Sequence, residues 1–191
     1  MHLDKNSHLD SAFPTTDRWT RLRLLSQAQK NMMLGIESFY VVCLIGYCLS
    51  LYAIHVESSA EDDSNYVAYC DISSKVSCSK VFLSEYGRIF SHLGFIPHNS
   101  TLDLPNAFYG TIFYILAAIN YYYSHRKAFA ADILLSLTVL SMVLSAYLSY
   151  ILTFILEDVC VVCYSTYVCN VLLFSLSWSN CRLKRERLKE N

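Results

Sequence analysis

The sequence predicts an all-α membrane protein: a bundle of four transmembrane helices with a large lumenal loop between the first and second. Three observations predict it. The 191 residues are 54% hydrophobic and only 16% charged, with a mean hydropathy of +0.31, and a soluble domain of this size exposes more charge. Several apolar runs match the roughly 20 helical residues needed to cross a bilayer core. Lys and Arg cluster in alternate connecting segments, as they do when helices cross back and forth. Helices and closed barrels alone satisfy the backbone in lipid, and these runs are too long for barrel strands. A net charge of −1 leaves no broad basic face for a nucleic acid.

The first span is expected over about 32–55, with Glu37 near its start turned to the interface or to another helix. The second covers about 107–123 and ends in Tyr121, Tyr122 and Tyr123, aromatics that favour the membrane boundary. The stretch 129–178 is almost continuously apolar, about twice the length of one span, so it must fold back. The acidic step Glu157-Asp158 marks the reversal, giving a third span near 129–150 and a fourth near 159–178.

Orientation follows from the basic residues. Arg18, Arg21, Arg23 and Lys30 precede the first span, Arg126 and Lys127 separate the second and third, and Arg182, Lys184, Arg185, Arg187 and Lys189 follow the fourth. In a four-span topology these segments share the cytosolic face. Residues 1–30 form a cytosolic segment expected to be disordered, 31–178 the membrane domain, and 179–191 a cytosolic basic tail. The loop 56–105 is lumenal and carries a glycosylation sequon at Asn99. No cleavable signal-peptide pattern is seen, so the first span serves as a signal-anchor. Arg185-Glu186-Arg187 is compatible with endoplasmic-reticulum retention, although a basic flank beside a membrane looks the same.

Eight cysteines are present. Cys70 and Cys78 fall in the lumenal loop, while Cys160 and Cys163 open the fourth span on the same side, so all four face the oxidising compartment. Cys43, Cys48 and Cys169 lie within spans and read as packing residues. Cys181 reads as a reduced cytosolic thiol. Three readings compete for the four lumenal thiols. They could brace a loop, bind zinc, or pass electrons. A ligand pair separated by Val161-Val162 at a lipid boundary does not resemble a zinc knuckle, and no metal is expected. Thiols at i and i+3 on one helix face are close enough to form a disulfide, and a redox pair at the membrane edge can meet a lipid-soluble electron carrier. The relay is therefore favoured.

Three stretches resemble one family, the vitamin K epoxide reductases. They are Cys70-Asp71-Ile72-Ser73-Ser74-Lys75-Val76-Ser77-Cys78, Asn106-Ala107-Phe108-Tyr109-Gly110, and Cys160-Val161-Val162-Cys163-Tyr164-Ser165-Thr166-Tyr167. A bare CxxC is a weak signal. Loop cysteines with seven residues between them, the Asn-containing helix start and CxxC followed by Thr-Tyr, in this order, are together specific. Tyr86 departs from the Trp of vertebrate members.

The resemblance implies a four-helix enzyme of the endoplasmic-reticulum membrane that reduces vitamin K epoxide to quinone and quinone to hydroquinone, supporting γ-carboxylation. Cys163 would attack the substrate and Cys160 would resolve the adduct. Cys78 would then exchange with Cys160, and Cys70 with Cys78, while lumenal thioredoxin-like thiol donors recharge the loop pair. Asn106 and Tyr167 would hydrogen-bond the substrate oxygens, Ser84 would help shape the site, and Tyr109 and Phe113 would line the ring pocket. Vitamin K is the substrate, dithiols supply the electrons, and no tightly bound cofactor is expected. Neutral donors in a dry pocket suit this chemistry, because they stabilise developing oxyanions without the cost of burying a charge.

Each residue also has a plainer reading. Asn106 after Pro105 is a good helix N-cap. Tyr167 is singled out among 15 tyrosines only by lying one turn beyond Cys163. Aromatics at helical spacing are usually core. The stretch 81–95 has helical apolar spacing and reads as an interfacial helix that lids the site or anchors the surface. A quinone-linked disulfide-forming oxidoreductase without epoxide activity, and a non-catalytic disulfide-braced membrane protein, are the competing functions.

Overall fold

The computed structural model describes residues 15–190 apart from Ser64, Leu93, Phe95, Ile96, His98, Asn99, Thr101, Leu102 and His125, with the side chains of residues 15–34 except Arg23, of Phe90, of Ala128 and of residues 187–190 likewise outside the description. The sequon at Asn99 and residues 1–14 of the N-terminal segment lie outside the described residues. Contacts divide the chain into two units, Met1–Ser38 and Phe39–Asn191. The four cysteines of interest all lie in the second.

Every named element among the described residues is a helix, and no strand is named. Helix α1 covers Thr15–Asp62. It starts inside the stretch expected to lack order: residues 15–34 contain neither Gly nor Pro and are rich in Leu, Gln, Arg and Lys, which favour helix. Helix α4 covers Asn106–Ser124, α5 Ala128–Tyr150 and α6 Val161–Glu190. A π-helical turn, Ile151–Ile155, continues α5. The reversal follows it at the expected acidic step, where Glu157 adopts a left-handed φ of 54°.

Among the described residues, three segments are long and apolar enough to cross a membrane: Gly35–Asp62, Phe129–Ile155 and Val161–Glu186. Helix α4 has 19 residues, about 28 Å at a rise of about 1.5 Å per residue. Its tyrosines and two asparagines keep it below the hydropathy of the other three.

The expected interfacial helix over 81–95 is broken into three short pieces. These are α2 (Cys78–Phe82), a 3-10 turn (Glu85–Arg88) and α3 (Ile89–His92). Ser84 ends the first piece by donating to Val81 O at 2.6 Å. Gly94 closes the last with φ of 74°, a conformation glycine adopts without strain.

Packing in the second unit inverts the soluble pattern. Ser50, Ser124, Thr138, Ser141, Ser145 and Ser177 are buried, while Val41, Leu44, Leu140, Val143, Val168 and Leu172 are exposed. Small polar residues between helices and apolar residues outside are what lipid demands. Phe39 of α1 stacks on Tyr121 of α4 with ring centroids 3.8 Å apart. Tyr114 of α4 donates to Asn170 Oδ1 of α6 at 3.0 Å, and Asn170 donates to Ser145 Oγ of α5 at 2.8 Å. Arg185 of α6 pairs with Asp132 of α5 at 3.1 Å. Gly46 of α1 lies against the Tyr114 ring, and a Cβ there would overlap it.

Tyr114 is buried and its hydroxyl is committed to Asn170, so its ring cannot swing aside without breaking that bond. Gly46→Val is therefore expected to cost about 1–3 kcal/mol, as overpacking of a filled core does. Thermal unfolding in detergent measures it, and an unchanged midpoint would show that α1 is free to move away.

Candidate functional site

The loop cysteines lie where the chain returns from α1. Cys70 and Cys78 form a disulfide with Cα atoms 5.8 Å apart. Asp71 organises the loop. Its carboxylate accepts from the backbone N–H groups of Ala68 (3.0 Å), Cys78 (2.6 Å) and Ser79 (3.1 Å), and from the hydroxyls of Ser77 (2.9 Å) and Ser79 (2.5 Å). Burial pushes the Asp71 carboxyl up, but the Ser79, Ala68 and Ser77 hydrogen bonds outweigh it and hold it down at about 2. Cys70, Asp71 and Cys78 would place three ligand atoms together, yet the two sulfurs are bonded to each other and offer no thiolate pair to a metal.

This loop is tied to the segment that precedes the second cysteine pair. Ser77 N–H donates to Val159 O at 3.1 Å, and Val159 N–H donates to Lys75 O at 2.8 Å. The two segments form a short parallel bridge, Val76 to Val159. Lys75 and Glu157 add an exposed ion pair at 3.7 Å, worth little in water. Cys70, Cys78 and Cys160 are then buried in one apolar cluster with Val56, Val81, Phe82, Leu152 and Val162, and Cys163 packs against it.

Cys160 and Cys163 are free thiols. Cys160 is fully buried just ahead of α6, and its sulfur accepts the Cys163 N–H at 3.2 Å. Cys163, on the first turn of α6, lines a cavity of about 340 Å³ between α1, α4, α5 and α6. Of the residues expected to bind substrate, Ser84, Asn106, Tyr109, Phe113 and Tyr167 all line this cavity. Cys70, Cys78 and Cys160 stay behind its wall. The site thus has two compartments, a pocket reached by one thiol and a sulfur cluster outside it.

Asn106, the first residue of α4, sends its side chain to the segment 86–89. Its Oδ1 accepts from Ile89 N at 2.9 Å and its Nδ2 donates to Tyr86 O at 2.6 Å. Both amide groups therefore grip the backbone of 86–89 and align one cavity wall. One of the two amide N–H groups is used on Tyr86. Tyr86 itself lines the cavity and packs its ring on His92, with centroids 4.5 Å apart. The Tyr167 ring meets Tyr164 edge to face at 5.7 Å. The Tyr164 hydroxyl is hydrogen-bonded to Thr153 in the π-helical turn at 2.7 Å, joining the reversal to the first turns of α6.

Asp71, Glu57 and Arg88 carry contacts at the site without belonging to the candidate residues that the motifs mark. Asp71 lies between the loop cysteines and could have been noted as the one acid in that motif. Glu57 is a carboxylate at the end of an apolar run, an expensive placement that marks a role. Arg88 is the only Lys or Arg between Lys80 and Arg126.

Span-length apolar helices, one thiol of a cysteine pair on an apolar cavity and a neighbouring disulfide fit a membrane oxidoreductase. Comparison with known proteins agrees. The profile of the vitamin K epoxide reductase family matches residues 38–178, and this chain belongs to that family. It is 40% identical over 141 residues to mouse vitamin K epoxide reductase complex subunit 1, covering 72% of this chain and 84% of the relative. The rat protein of the same description is 37% identical over the same coverage.

Asp71→Asn should loosen the loop, so reduction of Cys70–Cys78 by a phosphine at neutral pH is expected to accelerate, read by alkylation and peptide mass. The folded-state pKa lies below the ordinary value of 3.8. The charged carboxylate therefore stabilises fully above about pH 4 and the contribution fades as pH falls toward about 2. The unaltered protein should show the same acceleration only across that acidic range. Equal reduction rates at neutral pH would show that the carboxylate does not hold the loop.

Proposed function

We propose that this chain reduces vitamin K 2,3-epoxide to the quinone, and the quinone to the hydroquinone, in the endoplasmic-reticulum membrane. It crosses four times, α4 included, with both termini cytosolic and the loop of residues 56–105 lumenal. The observation that carries the reading is the opening of Cys163 onto the cavity shared with Asn106 and Tyr167, while Cys160 lies buried with the loop disulfide. The names of the mouse and rat relatives point to the same substrate.

In this mechanism the Cys163 thiolate attacks an epoxide carbon, forming a C–S bond as the C–O bond opens, and the freed oxygen takes a proton. Cys160 then attacks the Cys163 sulfur. The C–S electron pair returns to the substrate, water leaves, and a Cys160–Cys163 disulfide remains. Epoxide and two thiols thus give quinone, water and one disulfide. Asn106 and Tyr167 supply donors to the substrate oxygens as negative charge develops there, in a cavity whose wall is largely apolar. The adduct is resolved by attack of the Cys160 thiolate on the Cys163 sulfur, with the substrate carbon beside its carbonyl as the leaving group, so that the electron pair is held as an enolate before hydroxide is expelled.

Recharging carries electrons inward from the lumen. Lumenal dithiols of the thioredoxin type reduce Cys70–Cys78. The freed Cys78 attacks Cys160, and Cys70 closes on Cys78. The bridge from Ser77 to Val159 keeps the two pairs beside each other for this exchange. These steps support a vitamin K cycle that feeds γ-carboxylation.

Microsomes containing the protein should turn over vitamin K epoxide with dithiothreitol, and Cys163→Ala should abolish turnover. Cys160→Ser should leave Cys163 unresolved and accumulate a substrate adduct. Full activity in Cys163→Ala would rule the mechanism out. Turnover of quinone without epoxide would assign the chain to quinone-linked thiol chemistry alone.

A further inference from the structure

Arg88 joins three stretches of chain. Its guanidinium is 3.8 Å from Glu57 and 2.7 Å from Glu61, both near the end of α1, and it donates to Asp103 O at 3.1 Å just ahead of α4. It also approaches the Asp103 carboxylate at 4.0 Å. The Glu57 side chain is 4% exposed and the Asp103 side chain 10%. Among the described residues lining the cavity, Glu57 is the only carboxylate, and no Lys, Arg or His joins it. A buried carboxylate is tolerated only when paired, and Arg88 is the cation beside it.

The position of Arg88 in the chain gives this pairing a consequence for chemistry. Arg88 lies between Tyr86, whose carbonyl accepts from Asn106 Nδ2, and Ile89, whose N–H donates to Asn106 Oδ1. Through Asp103 it also holds the chain three residues before Asn106. The Asn106 amide is therefore fixed from both sides by groups that Arg88 anchors to α1.

We propose that Arg88, seated on the buried Glu57, is a positioning residue that aligns Asn106 and the Tyr86 wall of the cavity for substrate binding. This rests on the reading of Asn106 as a substrate ligand. The planar guanidinium suits the task because it reaches several acceptors at fixed angles. Glu57 balances its charge on the apolar side, and Glu61 holds it from the exposed side.

The test uses full-length protein in microsomes and two readouts. In R88Q, KM for the epoxide should rise about tenfold, with kcat changed less than about threefold, because the loss is in alignment of the bound ring and the sulfur pair is untouched. In microsomes opened with a mild detergent, Cys163 should also become more reactive toward a charged maleimide, located by peptide mass, as the loosened wall admits water. If R88Q does not accumulate because Glu57 is left unpaired, E57Q/R88Q removes both charges and carries the same expectation. A KM within about twofold of the unaltered protein together with unchanged labelling would overturn the proposal. So would a fall in kcat at constant KM, and so would failure of both variants to accumulate, since alignment is not needed for folding. No turnover by the unaltered protein would defeat the functional reading instead, and the labelling readout, which needs no turnover, would still decide this inference.

Discussion

Two backbone hydrogen bonds between the loop and the segment ahead of α6 hold the site together. Ser77 to Val159 and Val159 to Lys75 join strands of chain that are more than 80 residues apart in sequence. They set the register of the Cys70–Cys78 loop against Cys160, and the sulfur atoms share one apolar cluster. The bridge is short, so the apolar cluster behind it supplies most of the holding force. Val56, Val81, Phe82, Leu152 and Val162 close over the cysteines, and burial of such side chains contributes far more than two exchanged hydrogen bonds. The Lys75–Glu157 pair sits outside on the exposed rim and adds little.

The cavity and the sulfur cluster obey different physics. The cavity is lined mainly by apolar side chains, with a few neutral donors and one buried carboxylate. Neutral amides and hydroxyls can be placed there at moderate cost, whereas an isolated charge cannot. Glu57 is the exception, and it is met by Arg88, whose other contacts reach outward to Glu61. The loop, by contrast, stores its negative charge on Asp71, where five donors converge. Charge in the loop is thus neutralised by hydrogen bonds, and charge at the cavity by an ion pair.

Much of the helical plan was legible because lipid imposes a simple rule. Apolar runs of span length appear as α1, α5 and α6 with ends displaced by a few residues or turns, and the doubled run folds back at Glu157-Asp158 as its length required. Helix ends were less legible. Continuation of α5 through Ile151–Ile155 as a π turn and extension of α1 back to Thr15 leave no mark in hydropathy. The region 81–95 shows the limit of periodicity. Its apolar spacing is helical, yet Ser84 and Gly94 cut it into short pieces, because local hydrogen bonding and a left-handed φ outweigh a weak amphipathic pattern.

For the site, the resemblance carried by short motifs named Cys163, Asn106, Tyr167, Ser84, Tyr109 and Phe113, and the folded chain gathers all six around one cavity. Such residues can be picked out in one dimension because a thiol pair, an amide at a helix start and a tyrosine one turn beyond a cysteine are local patterns. Their partners could not be. Asn106 gripping Tyr86 and Ile89, Arg88 bridging Glu57, Glu61 and Asp103, and Val76 pairing with Val159 join positions about 15 to 83 residues apart. No short-range preference selects those pairs. They arise only when helices driven together by lipid and by buried apolar area bring distant polar groups into reach, and each such group must then find a partner or be left unsatisfied.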